Sequence, residues 1–178
     1  DEFSTLAFAA DGTLYAGTHC YGLLIGEPQD DYRTWRHIRG SAAMPNTPSG
    51  EGLPSEMIND TLVSGTGTVY VATACGLAWS TDDGQAWRFV RGENWRENVE
   101  GLYSAPQPEG DDSEALLADD WVTALAEDTD GQIRVGFYRG GQQILDPEVT
   151  AVVRDQAIYG QITKFIYALP ADHGSIVG

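Results

Sequence analysis

Residues able to do chemistry are few in this chain and poorly arranged for catalysis. Its three histidines, His19, His37 and His173, fall in separate segments, and its two cysteines, Cys20 and Cys75, lack C-x-x-C spacing. There is no G-x-S-x-G elbow, phosphate-binding loop or H-E-x-x-H pair, the patterns that place a nucleophile, a phosphate cradle or a metal where a reaction requires it. A metal site built from His19, Cys20 and Cys75 lacks a fourth ligand. Carboxylates are plentiful instead. Between positions 91 and 120 stand Glu93, Glu97, Glu100, Glu109, Asp111, Asp112, Glu114, Asp119 and Asp120 against Arg91 and Arg96. Hard cations favour clustered carboxylates, but the spacing does not follow D-x-[DN]-x-[DN]-G, so we read a solvated acidic loop. A glycoside-cleaving pair of carboxylates stands ~5–10 Å apart. Asp119 and Glu127 are available for that role, and nothing in the sequence singles them out. No cofactor and no metal is expected.

What remains suits recognition. Tyr and Trp rings offer contact area at low entropic cost, and Arg offers a planar fork for carboxylates or hydroxyls. His19, Tyr21, Trp95, Tyr138 and Arg139 are residues of these types in turns or unpatterned stretches, where strand packing gives them no evident task. Trp95 and Tyr103, set among the acids, read either as a sugar-stacking platform or as plugs that pack a loop. We take His19, Tyr21, Trp95, Tyr138 and Arg139 as the candidate ligand-binding set.

Composition narrows the partners. With 10 Lys and Arg against 27 Asp and Glu, the formal charge is −17. No basic patch tracks phosphates, so nucleic acid and anionic membrane surfaces are disfavoured. Hydrophobic residues make up 42% of the chain, enough for a packed core. No stretch approaches the ~20 apolar residues of a membrane-spanning helix, so no membrane insertion is expected of this segment.

These residues hang on a repeat. Four segments share one phrase, an apolar run, a Gly-containing turn and an alternating strand: STLAFAADGTLYAGTHCYGLLIG from Ser4, INDTLVSGTGTVYVATACGLAWS from Ile58, VTALAEDTDGQIRVGFYRGGQQILDP from Val122 and ITKFIYALPADHGSIVG from Ile162. Aligning Gly17, Ala72, Gly136 and Gly178 gives spacings of 55, 64 and 42 residues. The shortest is close to the ~40–50 residues of a propeller blade. Asp11-Gly12 and Asp130-Gly131 suit two-residue hairpins, and Thr68-Val69-Tyr70-Val71 favours strand. A sandwich also gives short strands, but has no reason to repeat one phrase four times. The expectation is an all-β fold of four-stranded antiparallel meanders, β-propeller blades, in an incomplete ring. The copies lie at about 4–40, 58–91, 121–155 and 162–178 of a single partial domain, with long loops at 40–57 and 91–120. No helix of consequence is expected.

Ser80-Thr81-Asp82-Asp83-Gly84-Gln85-Ala86-Trp87 reads S-x-D-x-G-x-x-W and resembles the Asp-box of sialidase-type propellers. The resemblance implies a hairpin between the third and fourth strands of a blade, with Ser80, Asp82, Gly84 and Trp87 structural. The first copy keeps Asp30, Thr34 and Trp35 of this pattern, with Tyr32 in place of glycine. The third, Asp146-Pro147-Glu148, reads as a shorter turn that has lost it. The third copy as a whole looks like the repeat of two-component-regulator-type propellers, with Arg134 at the usual Trp. These resemblances imply fold more than task, because the architecture hosts enzymes, sensors and scaffolds.

In a blade with strands A to D outward from the axis, the A–B turns and the Asp-box turn share one face. The B–C turns and D–A connections share the other. His19, Tyr21, Tyr138 and Arg139 fall on the B–C side, with both long loops. Cys20 and Cys75 occupy matching positions too far apart for the ~7 Å Cα limit of a disulfide, and we read both as small buried hydrophobes. A sialidase-like arginine cluster is missing, since Arg139 alone is placed on the loop face. Two functions remain. One is a non-catalytic recognition or sensor propeller, extracellular or periplasmic, binding a glycan or protein through its loop face. The other is a fragment of a propeller glycoside hydrolase acting on polysaccharide. The chain opens at Asp1 and stops inside a strand at Gly178, so we expect further blades, or a second chain, to complete the ring.

Overall fold

Turns set the strand spacing. Gly12, Gly67 and Gly131 take φ of 92°, 87° and 76°, left-handed conformations open to glycine, and each reverses the chain between two strands. In the computed structural model of the protein, which describes residues 2–40, 45–100, 107–156, 166–168 and 175–177, the strands form β-meanders. β1 (Phe3–Phe8), β2 (Leu14–Thr18), β3 (Leu23–Gly26) and β4 (Trp35–Ile38) make the first sheet in chain order. The second holds β5 (Ser49–Glu51), β6 (Ile58–Val63), β7 (Val69–Thr73), β8 (Gly76–Ser80) and β9 (Arg88–Val90) in the order β5-β9-β8-β7-β6. A short helix, α1 (Trp95–Glu100), precedes the third sheet of β10 (Val122–Glu127), β11 (Ile133–Phe137), β12 (Gln142–Leu145) and β13 (Val152–Gln156). β14 (Ile166–Ala168) and β15 (Ser175–Val177) pair as a fourth hairpin. The fold is the expected set of antiparallel propeller blades.

The repeat is visible in the register. Phe3 lies opposite Thr18, Ile58 opposite Thr73 and Val122 opposite Phe137, and each inner pair shifts register immediately afterwards. Gly17, Ala72 and Gly136 then stand opposite Thr5, Asp60 and Ala124.

Burial follows the pleat. Val69, Val71, Ala78 and Phe89 of the second sheet pack with Tyr15, Leu23 and Ile25 of the first. Tyr70, Ala72, Leu77 and Val90, their alternate neighbours, pack with Val122, Ile133, Val135 and Phe137 of the third. A strand sandwiched on both faces reads as an unbroken apolar run, which is why all five residues of β7 are buried. Each such side chain contributes about 1.5–3 kcal/mol of transfer free energy. At the outer face of the first sheet Phe3, Leu6 and Phe8 are each 61% exposed; no described sheet covers them.

Three details differ from the sequence expectation. Residues 49–51, assigned to a long loop, form β5 and add a fifth strand to the free edge of β9. Ser-Gly-Glu has little strand propensity; it pairs there because Gly50, having no side chain, admits the Phe89 ring, whose atoms lie 2.8 Å from where a Cβ would be. The 91–120 segment contains α1. The outer turn of the third sheet also keeps the Asp-centred geometry described below. Most of the fourth copy, with His173 and Lys164, lies outside the described residues.

Candidate functional site

The B–C turns form by one device in the first two sheets. The Thr18 hydroxyl accepts from Tyr21 N–H and donates to the Gly22 carbonyl at 2.9 Å. Thr73 does the same with Cys75 N–H and the Gly76 carbonyl. Gly22 and Gly76 take φ of 73° and 105°. In the first sheet this lifts Tyr21 out of the core, 38% exposed. Its ring stacks on His37 at 4.0 Å and 24°, with the Arg39 guanidinium 5.1 Å from its centroid. His37 Nε2–H donates to the Tyr21 carbonyl, so ring and backbone are held together. His19 is exposed beside this group, its N–H donating to the Glu2 carbonyl at 3.2 Å.

The third sheet presents a second aromatic pair on the same face. Tyr138 N–H donates to the Trp121 carbonyl at 3.0 Å, and the rings lie 5.3 Å apart at 30°. Tyr138 is 40% and Trp121 38% exposed. Arg139 is exposed, and its backbone N–H is fixed by Asp119 Oδ2 at 2.8 Å. Sequence reasoning missed Trp121, Arg39 and His37 as members of this face. Trp121 stands immediately before β10, at the mouth of a D–A connection, and that position was its available signal.

Trp95 is elsewhere. Placed in the candidate ligand-binding set but also readable as a plug, it is fully buried. Arg91 and Asp120 form an ion pair with both side chains at 0% exposure, in which Arg91 Nε donates to Asp120 Oδ1 at 2.9 Å. Asn98 also donates to Asp120, and Asn94 donates to Asp119 Oδ1 at 2.8 Å. Trp95 packs against this cluster, with Arg96 4.7 Å and Arg91 5.9 Å from its ring, and its indole N–H donates to Asp112 at 3.2 Å. The two long connections are tied together by Arg91 N–H to the Pro48 carbonyl and Glu109 N–H to the Asn46 carbonyl. Trp95 therefore plugs a loop and offers no surface to a ligand. Tyr103 lies outside the described residues.

The acids sort in the same way. Asp119 is 4% exposed and spent on Asn94 and Arg139. Glu127 ends β10 at the opposite face, accepting from Gly65 N–H at 2.7 Å. The strand between them spans about 17 Å at ~3.3 Å per residue, which separates them beyond any glycosidase pair. Among the described residues no group of three or more His, Cys, Asp or Glu could hold a metal ion. Cys75 is buried and its thiol pushed up to about 11 by burial. Cys20, also expected to be buried, is exposed in the Thr18–Gly22 turn, outside the strands that bury the core. Both are free.

The opposite face is built from Asp-centred turns. Asp82 Oδ1 accepts from Ser80 Oγ, Gln85 N–H and Ala86 N–H at 2.8, 3.1 and 2.9 Å. Trp87 lies beneath with Nε1–H on the Gly84 carbonyl at 3.1 Å. The hydrogen bond from Ala86, then that from Ser80, holds the Asp82 carboxyl below its ordinary range. Asp30 caps Arg33 and Thr34 alike. Asp146 accepts from Glu148, Thr150 and Ala151 N–H, so the third turn, expected to be lost, is present. Val149 there takes the positive φ, 58°, that glycine provides in the second.

No protein-family profile matches this chain, and no curated protein sequence does. Solved structures do. The extracellular domain assigned to a one-component system of B. thetaiotaomicron superposes with a TM-score of 0.68 at 18% identity, covering 99% of this chain and 20% of that one. The β-propeller domain of Cps50 (Swd1) from Myceliophteria thermophila gives 0.63 at 12%, covering 100% and 49%. Virginiamycin B lyase from Staphylococcus aureus gives 0.59 at 13%, covering 98% and 48%. This chain thus spans a fifth to a half of the proteins it resembles. Among the described residues no helix is long and apolar enough to cross a membrane. At these identities the likeness shows the fold alone: the chain is built of β-propeller blades.

Proposed function

We propose that this segment is a non-catalytic recognition module of a sensor-type propeller, exposed outside the cell or in the periplasm, and that its loop face binds a protein ligand. The observation that carries the reading is the pair of exposed aromatic groups on one face, Tyr21–His37 with Arg39 and Trp121–Tyr138 beside Arg139. Tyr, Trp and Arg dominate the energetics of protein interfaces. The Tyr21 ring is already stacked on His37, with the Arg39 guanidinium 5.1 Å from its centroid, and these contacts take up ring surface on which a sugar would stack. That favours a protein surface over the glycan that the residue types alone would also allow. The similarity to an extracellular domain supports the location. The separation of Asp119 from Glu127 counts against the hydrolase reading. The Asp82 turn, with its S-x-D-x-G-x-x-W sequence, serves in this account as an Asp-box scaffold. The outer face of β1, with Phe3, Leu6 and Phe8, is where a further blade or a second chain completes the ring.

The test is a displayed random-peptide library selected on the wild-type protein, with a glycan array alongside. Selected peptides are expected to lose binding about tenfold or more on Tyr21→Ala and Tyr138→Ala, since each hot-spot ring contributes about 2 kcal/mol or more. Peptide binding that survives both changes overturns the loop face as the site. Glycan hits that are lost with Tyr21→Ala and Tyr138→Ala, without peptide hits, replace the protein ligand by a sugar.

A further inference from the structure

The two faces of the molecule differ in a way that the proposed function does not use. On the face of the Asp-centred turns lie two adjoining hollows, one of about 280 Å³ on the second sheet and one of about 430 Å³ between the second and third sheets. Trp79, Thr81 and Arg88 line both. The smaller is closed by the Asp82 turn, and the larger by Thr68, just before β7, and by Glu148 and Thr150 of the third sheet's outer turn. We propose that this cleft is a binding site for a neutral saccharide.

The cleft is built rather than incidental. Trp79 and Arg88 are direct cross-strand neighbours on β8 and β9, and Tyr70 stands opposite Trp79 on β7. The three side chains therefore share the face turned toward the third sheet. Tyr70 is buried, and its hydroxyl donates to the Pro147 carbonyl. That bond pins the outer turn of the third sheet at a set distance from the second. The Asp146 carboxylate holds the same turn from within through Glu148, Thr150 and Ala151. Outside the Tyr70 clamp the twisted sheets diverge, and the gap that opens is the cleft. Its walls are fixed before any ligand arrives, which lowers the entropic cost of binding.

The lining selects the ligand class. Trp79 packs against the core by one part and remains half-buried, offering an aromatic surface to the cleft. Arg88 is exposed, and among the described residues it makes no ion pair and no side-chain hydrogen bond, although Glu51 is its cross-strand neighbour on β5. Its planar fork suits two adjacent hydroxyls. Threonine hydroxyls both donate and accept, and the Glu148 carboxylate accepts. All three hydrogen bonds to the Asp82 carboxylate end on Oδ1, so Oδ2 remains for a ligand hydroxyl. An apolar ring surface ringed by donors and acceptors matches a pyranose, with its C–H face and equatorial hydroxyls. One arginine against Asp82 and Glu148, in a chain of charge −17, repels anionic ligands, so the saccharide is neutral. The combined space is of the size of ordinary ligand pockets, ~300–1,000 Å³.

Saturation-transfer NMR and calorimetry with neutral di- and trisaccharides of hexoses, chosen from glycan-array hits, test the proposal on the whole chain. Binding is expected for at least one neutral saccharide, weakened about tenfold or more by Arg88→Ala and by Trp79→Ala, and unchanged by Tyr21→Ala and Tyr138→Ala. Trp79→Phe, which keeps an aromatic face and the core contact, retains binding, and an unaltered melting temperature for Arg88→Ala separates lost contact from lost fold. No neutral saccharide binding at millimolar concentration overturns the proposal. So does binding that survives Arg88→Ala and Trp79→Ala in folded protein, or binding confined to acidic sugars or peptides. Because the variants of the loop face and of the cleft are disjoint, failure of either site leaves the other separately measurable.

Discussion

Thr5 donates its hydroxyl to Asp60 Oδ1 at 3.2 Å, across the gap between the first and second sheets. The same carboxylate accepts from Thr61 N–H, and its Oδ2 accepts from Leu125 N–H of the third sheet at 2.8 Å. Asp60 stands at the register shift of β6, in the repeat position held by Thr5 in the first sheet and Ala124 in the third. One side chain thereby joins three inner strands. Asn59 adds a bond from Nδ2 to the Val122 carbonyl at 2.6 Å.

Asp60→Asn tests this junction. Burial pushes the Asp60 carboxyl above its ordinary range, and the hydrogen bonds from Leu125, Thr61 and Thr5 oppose the shift. Asparagine removes the buried charge but places an NH2 group against either an N–H or a hydroxyl donor. The unsatisfied donor outweighs the relief, and chemical denaturation is expected to show a loss of about 1–3 kcal/mol. Equal or greater stability contradicts the stitching role.

Arg91 and Asp120 form the other buried junction, and they lie where the two long connections meet. Breaking a fully buried pair leaves one uncompensated charge and costs about 3–5 kcal/mol. Arg91→Ala or Asp120→Ala is expected to lower stability by that order and to release Trp95, seen as a red shift of tryptophan emission. Arg96→Ala, which touches the outer side of Trp95, is expected to be mild.

The Asp-centred turns predict a pH profile. Bonding to Thr13 holds Asp11 low, and bonding to Thr34 and to Ala86 does the same for Asp30 and Asp82. At Asp146 burial pushes upward, and the bonds from Ala151 and Thr150 outweigh it. Folded values below the unfolded ~3.9 mean that this stabilisation is complete above about pH 4 and is lost as pH falls through the depressed values. Asp60 has the opposite sign: its contribution is present below the unfolded value and is lost as pH rises through the raised one. The melting temperature is expected to hold through neutral pH and fall below about pH 4, less steeply in Asp82→Ala/Asp146→Ala, which starts lower. A steeper acid fall in the double variant contradicts the assignment.

Thiol reactivity checks the two cysteines separately. Cys20 is expected to react in the native protein and Cys75 only after unfolding, as burial and its raised thiol range dictate. A single native thiol and two denatured thiols are the expected count. Two fast native thiols would show that the turn after Thr73 opens.

The fold was legible because its signals are local. Asp11-Gly12 and Asp130-Gly131 mark hairpins within a few residues, and the unbroken apolar run of β7 declares two packed faces. The site was harder to read because its determinants are distant. Trp95 is buried by an ion pair between residues 29 apart, which no local pattern encodes. Trp121 and Tyr138 meet only through the pairing of β10 with β11. The Asp146 turn escaped notice because Val149 supplies the positive φ that the motif assigns to glycine, its strain offset by burial in the core.

The account's central claim is that recognition occurs on the loop face. Hydrogen–deuterium exchange of the protein with a peptide selected from the library addresses it directly. Protection is predicted in the turns at 18–22 and 137–141 and at 119–121, with the turns at 80–87 and 146–151 unchanged. Peptide-induced protection confined to the turns at 80–87 and 146–151 would contradict it.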